Sequence, residues 1–266
     1  MNLLLIGDVV GKPGRTVVRR HLRDLRDRHG VSFVTANAEN IAGGNGVTPE
    51  TAQELLDAGV DCLTTGNHVW DKKEAAELLD TEERILRPAN YPPGTPGRGH
   101  GLFSTPGGTE VMVANLSGRV FMECGDCPFR KADELLEGYE GRVPCRVVDF
   151  HAEATSEKRA MALYLDGRVS AVMGTHTHIP TDDARLLPEG TAYITDLGMT
   201  GNEDGSVIGI EFAAVRHRFL RQMPIHFTLA KGTPILNGAV VTLDAAGGKA
   251  VGILRVSLSL NRPVSP

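Results

Sequence analysis

No stretch of this 266-residue chain approaches the roughly 20 consecutive apolar residues that a membrane-spanning helix requires. The amino-terminal MNLLLIGDVV lacks the basic flank of a secretory signal, and its apolar run breaks at Gly7-Asp8. Basic excess is missing too. With 28 Lys and Arg against 33 Asp and Glu the formal net charge is −5, the wrong sign for general binding to nucleic acid or to a membrane surface. Cysteine is sparse. Cys124 and Cys127 form a Cys-x-x-Cys spacing, but Cys62 and Cys145 stand alone, so a structural zinc site has no second close pair. The pair follows the turn-rich GRVFMECGD rather than a strand entering a helix, which disfavours a thioredoxin-like redox site and leaves ordinary reduced thiols in a loop. A dividing linker and a solenoid-length repeat are also lacking. Residues 1–266 therefore read as one cytoplasmic domain, with a tail from about 260.

What is present is a rhythm of strands and helices, at 41% hydrophobic content enough for a substantial core. NLLLIG is a short continuous apolar run, the pattern of a strand buried on both faces. Beyond Pro13, Val17, Val18, Leu22 and Leu25 recur at helical spacing until Gly30. VSFVTA and VDCLTT read as further strands, and residues 48–59 and 71–80 as helices, the first opening on Thr48-Pro49. Such alternation predicts a largely parallel sheet with right-handed crossovers. Residues 87–101, dense in Pro and Gly, read as loop. TEVMVANLSG, VPCRVVDFHAE and VSAVMG are strands separated by helical stretches. The last third is mostly strand, IHFTLAKG included, interrupted by the helical IEFAAVRHRFLRQ.

The chemistry lies where the strands stop. Asp8, Glu39-Asn40, Asn67-His68, His151, and His176 with His178 follow five apolar runs. The carboxyl ends of strands in an open α/β sheet form the crevice where ligands bind. Each residue alone has a plainer explanation: Asp8 could cap a helix, Asn40 could serve a turn, and a lone histidine is more often a satisfied surface group. Five strands ending alike favour a shared site. His176 and His178, at i and i+2, point the same way if the chain there is extended. Eight such groups exceed the need of one mononuclear centre, and a carboxylate can bridge two ions. Imidazole nitrogen with carboxylate and amide oxygen, without thiolate, suits iron, manganese or zinc better than calcium or magnesium. Paired ions of this kind serve displacement at phosphorus.

Taken in order, GDVVGKPGR, ANAEN, TTGNHVWD, RPANYP, GTHTHIPT and TDLGMTG resemble the calcineurin-like metallophosphoesterases, and most closely their YmdB-type bacterial branch of 2′,3′-cyclic-nucleotide 2′-phosphodiesterases. The likeness runs from residue 1 to about 255. It implies a four-layer αββα sandwich with metals at one end. It also implies that Asp8, Asn40 and His178 hold one metal, that Asn67, His151 and His176 hold the other, and that Glu39 bridges both. His68 would face the substrate and protonate the leaving oxygen. The chain departs from the wider superfamily at two points: Val10 stands where its Asp-x-His motif has histidine, and Glu39 where the bridging residue is aspartate. An oxygen from Asn40 in place of the missing imidazole makes the first site harder, which favours iron or manganese there, with zinc also possible.

The expected function is therefore dinuclear metal-dependent hydrolysis of small nucleotide phosphodiesters, 2′,3′-cyclic nucleotides among them, with His68 as general acid. Asn90, Thr195 and Asp196 are candidates for substrate contact or for supporting the ligands, with turn formation an equal alternative. His100 is the next candidate for the acid. Phosphomonoester hydrolysis, nuclease action and a nucleotide-sensing regulatory role are the rival readings. Long nucleic acid and membrane are not expected partners, and a homo-oligomer is left open.

Overall fold

The computed structural model describes residues 1–123, 125–244 and 248–261; Cys124 and most of the expected tail lie outside the described residues. In chain order the elements are β1 (Asn2–Ile6), α1 (Gly11–His29), β2 (Val31–Asn37), α2 (Pro49–Asp57), β3 (Cys62–Thr64), α3 (Ala75–Thr81), β4 (Ile85–Leu86), β5 (His100–Ser104) and β6 (Glu110–Ser117). They continue with α4 (Pro128–Glu137), β7 (Cys145–His151), α5 (Thr155–Tyr164), β8 (Ala171–Thr175), β9 (Arg185–Leu186), β10 (Ala192–Ile194), β11 (Gly201–Asn202), β12 (Ser206–Val207), β13 (Ile210–Glu211), α6 (Phe212–Arg221), β14 (Pro234–Leu243) and β15 (Ala250–Ser259).

These strands build two main sheets. The first runs β11-β14-β1-β2-β3-β4, with β15 on β14; the second runs β5-β6-β7-β8-β10-β9. Strands β1 to β4 are mutually parallel, as are β6, β7, β8 and β10, while β14, β5 and β9 join antiparallel. The alternation along β1 explains the sandwich. Leu4 and Ile6 pack with Val17, Val18 and Leu22 of α1 and Leu55 of α2, whereas Leu3 and Leu5 face Val111, Val147 and Met173 of the second sheet. On the far side Met112, Val148 and Val172 meet Leu136 of α4 and Met161 of α5. Helix, sheet, sheet, helix is the four-layer αββα order, and it accounts for the unbroken apolar run in β1, which has no solvent face.

Local signals sit where the sequence predicts them. The Thr48 hydroxyl accepts from the Thr51 N–H, with Pro49 opening α2, and Gly30 ends α1 in the left-handed region at φ 57°. Two expectations need correction. The stretch read as loop over 87–101 ends in strand, because His100–Ser104 pairs antiparallel with β6. IHFTLAKG forms no strand: most of it is exposed, and its one bridge joins Leu229 to Ile210. Helix α6, before it, buries only Val215, and both segments lie against the small β12-β13 pair rather than on either main sheet.

Candidate metal centre

Five strands lead to one rim, three from the first sheet and two from the second. Asp8 follows β1, Glu39 and Asn40 follow β2, Asn67 and His68 follow β3, His151 ends β7, and His176 and His178 follow β8. Donor atoms of Glu39, His151 and His176 lie within 4.8 Å of one another, and so do those of Asp8, Glu39 and His178. Glu39 belongs to both groups. Asn67 joins the first, its Oδ1 3.0 Å from His151 Nε2. Asn40 joins the second, but it turns its Nδ2 toward Glu39 Oε1 (2.9 Å) and His178 Nε2 (3.1 Å). Ligation through its oxygen requires the amide turned over, which costs no change of shape. Gly66 keeps the centre open. A Cβ there would stand 2.2 Å from His151 Nε2 and 2.3 Å from Glu39 Oε2.

Each imidazole is aimed by an acceptor on its outer nitrogen. Thr175 donates its hydroxyl to Asp149 Oδ1 (2.7 Å) and so accepts from His151 Nδ1 (2.9 Å). His176 Nε2 faces Glu153 Oε2 at 3.0 Å, and His178 Nδ1 donates to the Ile208 carbonyl at 3.2 Å. With the outer nitrogen carrying hydrogen, the inner lone pair points at the carboxylates, the arrangement in which histidine serves as a metal ligand. His176 and His178 reach this geometry by a route other than the extended chain their spacing suggests. Both lie at positive φ, 97° and 65°. The kinked segment is held by its N–H groups: His176 donates to both Asp8 carboxylate oxygens (3.2 Å each) and Thr177 to Asp196 Oδ2 (3.1 Å). Strain of this kind persists only where the surroundings over-determine it.

The electrostatics favour a cation at the same point. Burial pushes the Asp8 carboxyl up to about 6 against the pull of His178 and His151. Burial also opposes charge on Glu39, but His151, 3.1 Å away, outweighs it and holds the carboxyl well below the usual range. His151 is itself disfavoured as a cation by burial, yet Glu39 and Asp8 raise it to about 9. Burial and the His151 charge push His176 down to about 3. The carboxylates thus retain a proton on His151 where imidazole and carboxylate donors converge, and a metal ion satisfies the same groups while displacing that proton. Two carboxylates, three imidazoles and carboxamide oxygen, without thiolate, fit a transition-metal centre.

His68 stands apart from both donor groups. Its backbone N–H donates to Glu39 Oε2 (3.2 Å), its Nδ1 lies 2.8 Å from Asp71 Oδ2, and its side chain is 42% exposed. With Asn67, Asp71, Phe121, Met122, Glu123 and His176 it lines a cleft of about 320 Å³. A larger hollow, about 570 Å³, lies between α1 and α2, but it is shallow, lined by groups such as Arg19 and Glu54, and holds none of the donors. The other candidates fall into different places. Asn90 spends its side chain holding Ser117 and the Asp126 carbonyl. Thr195 donates to Asp183. His100 packs edge-on against Tyr139, 5.7 Å between ring centres, with burial lowering its basicity. Asp196 supports the histidine segment from below, paired at 2.6 Å with buried Lys158.

Lys158, Asp149, Glu153 and Asp71 were not singled out by sequence. Lys158 had a signal, for it shares the buried stripe of Met161, Ala162 and Leu165 at helical spacing. Asp149 had one as well, as a carboxylate set between Val148 and Phe150 in a buried strand.

A family model described as YmdB-like protein matches residues 4–256. The chain is 46% identical over 259 residues to a 2′,3′-cyclic-nucleotide 2′-phosphodiesterase of Bacillus subtilis, covering 97% of each. Among solved structures, a hypothetical protein of Thermus thermophilus superposes with a TM-score of 0.91 at 46% identity, covering 97% of this chain and 99% of that one. A protein of Mycoplasma pneumoniae titled a novel phosphatase superposes with a TM-score of 0.92 at 32% identity, covering 97% and 93%.

Proposed function

The chain belongs to the YmdB-like family, and from that premise we propose that it is a metal-dependent phosphodiesterase of small nucleotides, with 2′,3′-cyclic nucleotides as its substrate class. The observation that carries this reading is the sharing of Glu39 between two donor groups. In the proposal Asp8, Asn40 and His178 hold one ion, Asn67, His151 and His176 hold a second, and Glu39 contacts both. Iron or manganese suits the oxygen-richer first set, and zinc remains compatible with the second. Bound ions supply polarisation of the phosphoryl oxygens and lower the pKa of water. We place this enzyme in the cytoplasm, working as one domain.

The remaining chemistry belongs to the side chains. His68 protonates the departing ribose oxygen, and its exposure on the cleft wall leaves Nε2 available to a substrate. Asp71, accepting from Nδ1, holds the ring in the tautomer that carries hydrogen on Nδ1 when neutral, and stabilises the imidazolium whose Nε2 donates the proton. Glu39 accepts the His68 backbone N–H, so the acid is tied to the ligand set through one carboxylate.

Metal analysis of freshly purified protein, paired with cyclic, linear and monoester nucleotide substrates, tests the proposal. Metal-dependent opening of 2′,3′-cyclic nucleotides is expected. Turnover of monoesters alone, or binding without turnover, overturns it.

A further inference from the structure

Phe121 stands at the mouth of the cleft with 89% of its surface exposed and its backbone at φ 61°. A bulky aromatic residue adopts neither state readily: exposure forgoes burial, and the left-handed region is sterically unfavourable for it. The preceding segment shows what holds it there. Gly118 N–H donates to the His151 carbonyl (2.9 Å), and the N–H groups of Arg119 and Val120 donate to the Glu157 carboxylate (3.0 and 3.1 Å). Glu157 is buried in the first turn of α5. Three consecutive N–H groups are thus pinned to the framework that carries His151, and Phe121 is presented over the opening.

The same cleft is lined by Asn67, His68 and His176. The volume of about 320 Å³ is at the lower end of the ~300–1,000 Å³ typical of small-molecule sites. Among the described residues lining it, Phe121 supplies the one benzenoid ring. We propose that Phe121 is the stacking platform for the base of the nucleotide, a specificity-determining residue that distinguishes nucleotides from other phosphate esters. This rests on the functional reading above. A cyclic phosphate on the 2′ and 3′ oxygens lies on the face of the ribose opposite the base, so a phosphate beside His68 and His176 directs the base toward the opening. Stacking on a ring accepts every base, because each has a π-face, and favours the larger purines.

The test is calorimetric binding of adenosine 3′-monophosphate and of base-free glycerol 2-phosphate to the manganese-loaded protein. Three proteins are compared: wild type, Phe121→Asn, which suits the left-handed backbone without a ring, and Phe121→Trp, which restores a ring. Wild type should prefer the nucleotide. Phe121→Asn should weaken it roughly 5- to 100-fold, the usual worth of one stacked base, leave glycerol phosphate unchanged, and be rescued by Phe121→Trp. Absence of a preference in wild type, an unchanged nucleotide affinity in Phe121→Asn, equal loss of both ligands, or failure of the Trp variant to restore binding overturns the inference. Hydrolysis of 2′,3′-cyclic AMP by wild type is measured alongside. Its absence defeats the functional reading, while a ring-dependent preference for the nucleotide still sustains the platform.

Discussion

Glu39→Gln probes the centre at the residue common to both donor groups, at nearly constant volume. Glu39 Oε1 accepts from Asn40 Nδ2 and Oε2 from the His68 backbone N–H. Glutamine offers one acceptor for these two donors, and a buried donor left unpaired costs about 1–3 kcal/mol. A typical domain, stable by about 5–15 kcal/mol, remains folded after that loss. The effect on metal is larger and unequal. Among the described residues Glu39 is the one carboxylate in the group with His151 and His176, whereas the group with His178 retains Asp8. Unit charges about 4 Å apart interact by about 4 kcal/mol at an effective dielectric near 20, and half of that is already roughly 30-fold in affinity. The His151 group should therefore lose its ion, by about 100-fold or more in affinity, while the Asp8 group is weakened less. Metal content after gel filtration and calorimetric titration of the metal-free protein measure this. Imidazole NMR supplies an independent check. Glu39 is the strongest influence raising His151 to about 9 against burial, so His151 should titrate well below that value in the variant. Two equivalents held at wild-type affinity, with an unchanged His151 titration, would refute the assignment of Glu39 to both groups.

His68→Ala should keep its metals yet lose roughly 10²- to 10⁴-fold on 2′,3′-cyclic nucleotides and far less on bis-nitrophenyl phosphate, whose leaving group needs no proton; equal losses on both substrates contradict a proton-donating role. In the metal-free protein His151 sits at about 9 against an ordinary 6.5. Its charged form thus favours the native state, and that contribution, intact below pH 6.5, is lost as pH rises through 9, a decline of about 3 kcal/mol. Urea midpoints across this window should fall for metal-free protein and stay flatter for metal-loaded protein; parallel profiles would contradict the placement. Thr175→Val removes the acceptor of the His151 Nδ1 hydrogen and should weaken metal binding roughly 10- to 100-fold with helix and strand content unchanged, as judged by calorimetry and circular dichroism; undiminished affinity would show that Thr175 does not orient the ring.

The local pattern was sufficient for much of this molecule. The unbroken LLLI run of β1 required burial on both faces, and Thr48-Pro49 and Gly30 marked helix ends through backbone chemistry that operates within a few residues. The candidate ligands were visible for a related reason. Parallel strands present their carboxyl ends on one side, so polar residues closing several apolar runs converge whatever the details of packing. The residues aiming those ligands were harder to find. Asp149 reaches Asn37 across 112 residues, and Asp196 meets Lys158 across 38; both pairings arise only once the strands and helices have docked.

IHFTLAKG shows the opposite failure, a strand-like stretch left mostly exposed, with a single bridge to β13 and no place in either main sheet. The histidines of THTH divide the two kinds of information most clearly. Their identity and spacing marked them as candidate ligands, but a two-residue spacing says nothing about backbone conformation. Asp8 and Asp196, brought in from β1 and from beyond β10, hold the N–H groups of that segment and impose the left-handed turns. Which groups reach the rim was already written in the order of residues, because it follows from strand polarity and composition. How each group is aimed came from folding alone, because aim is set by hydrogen bonds between segments that are distant in the chain.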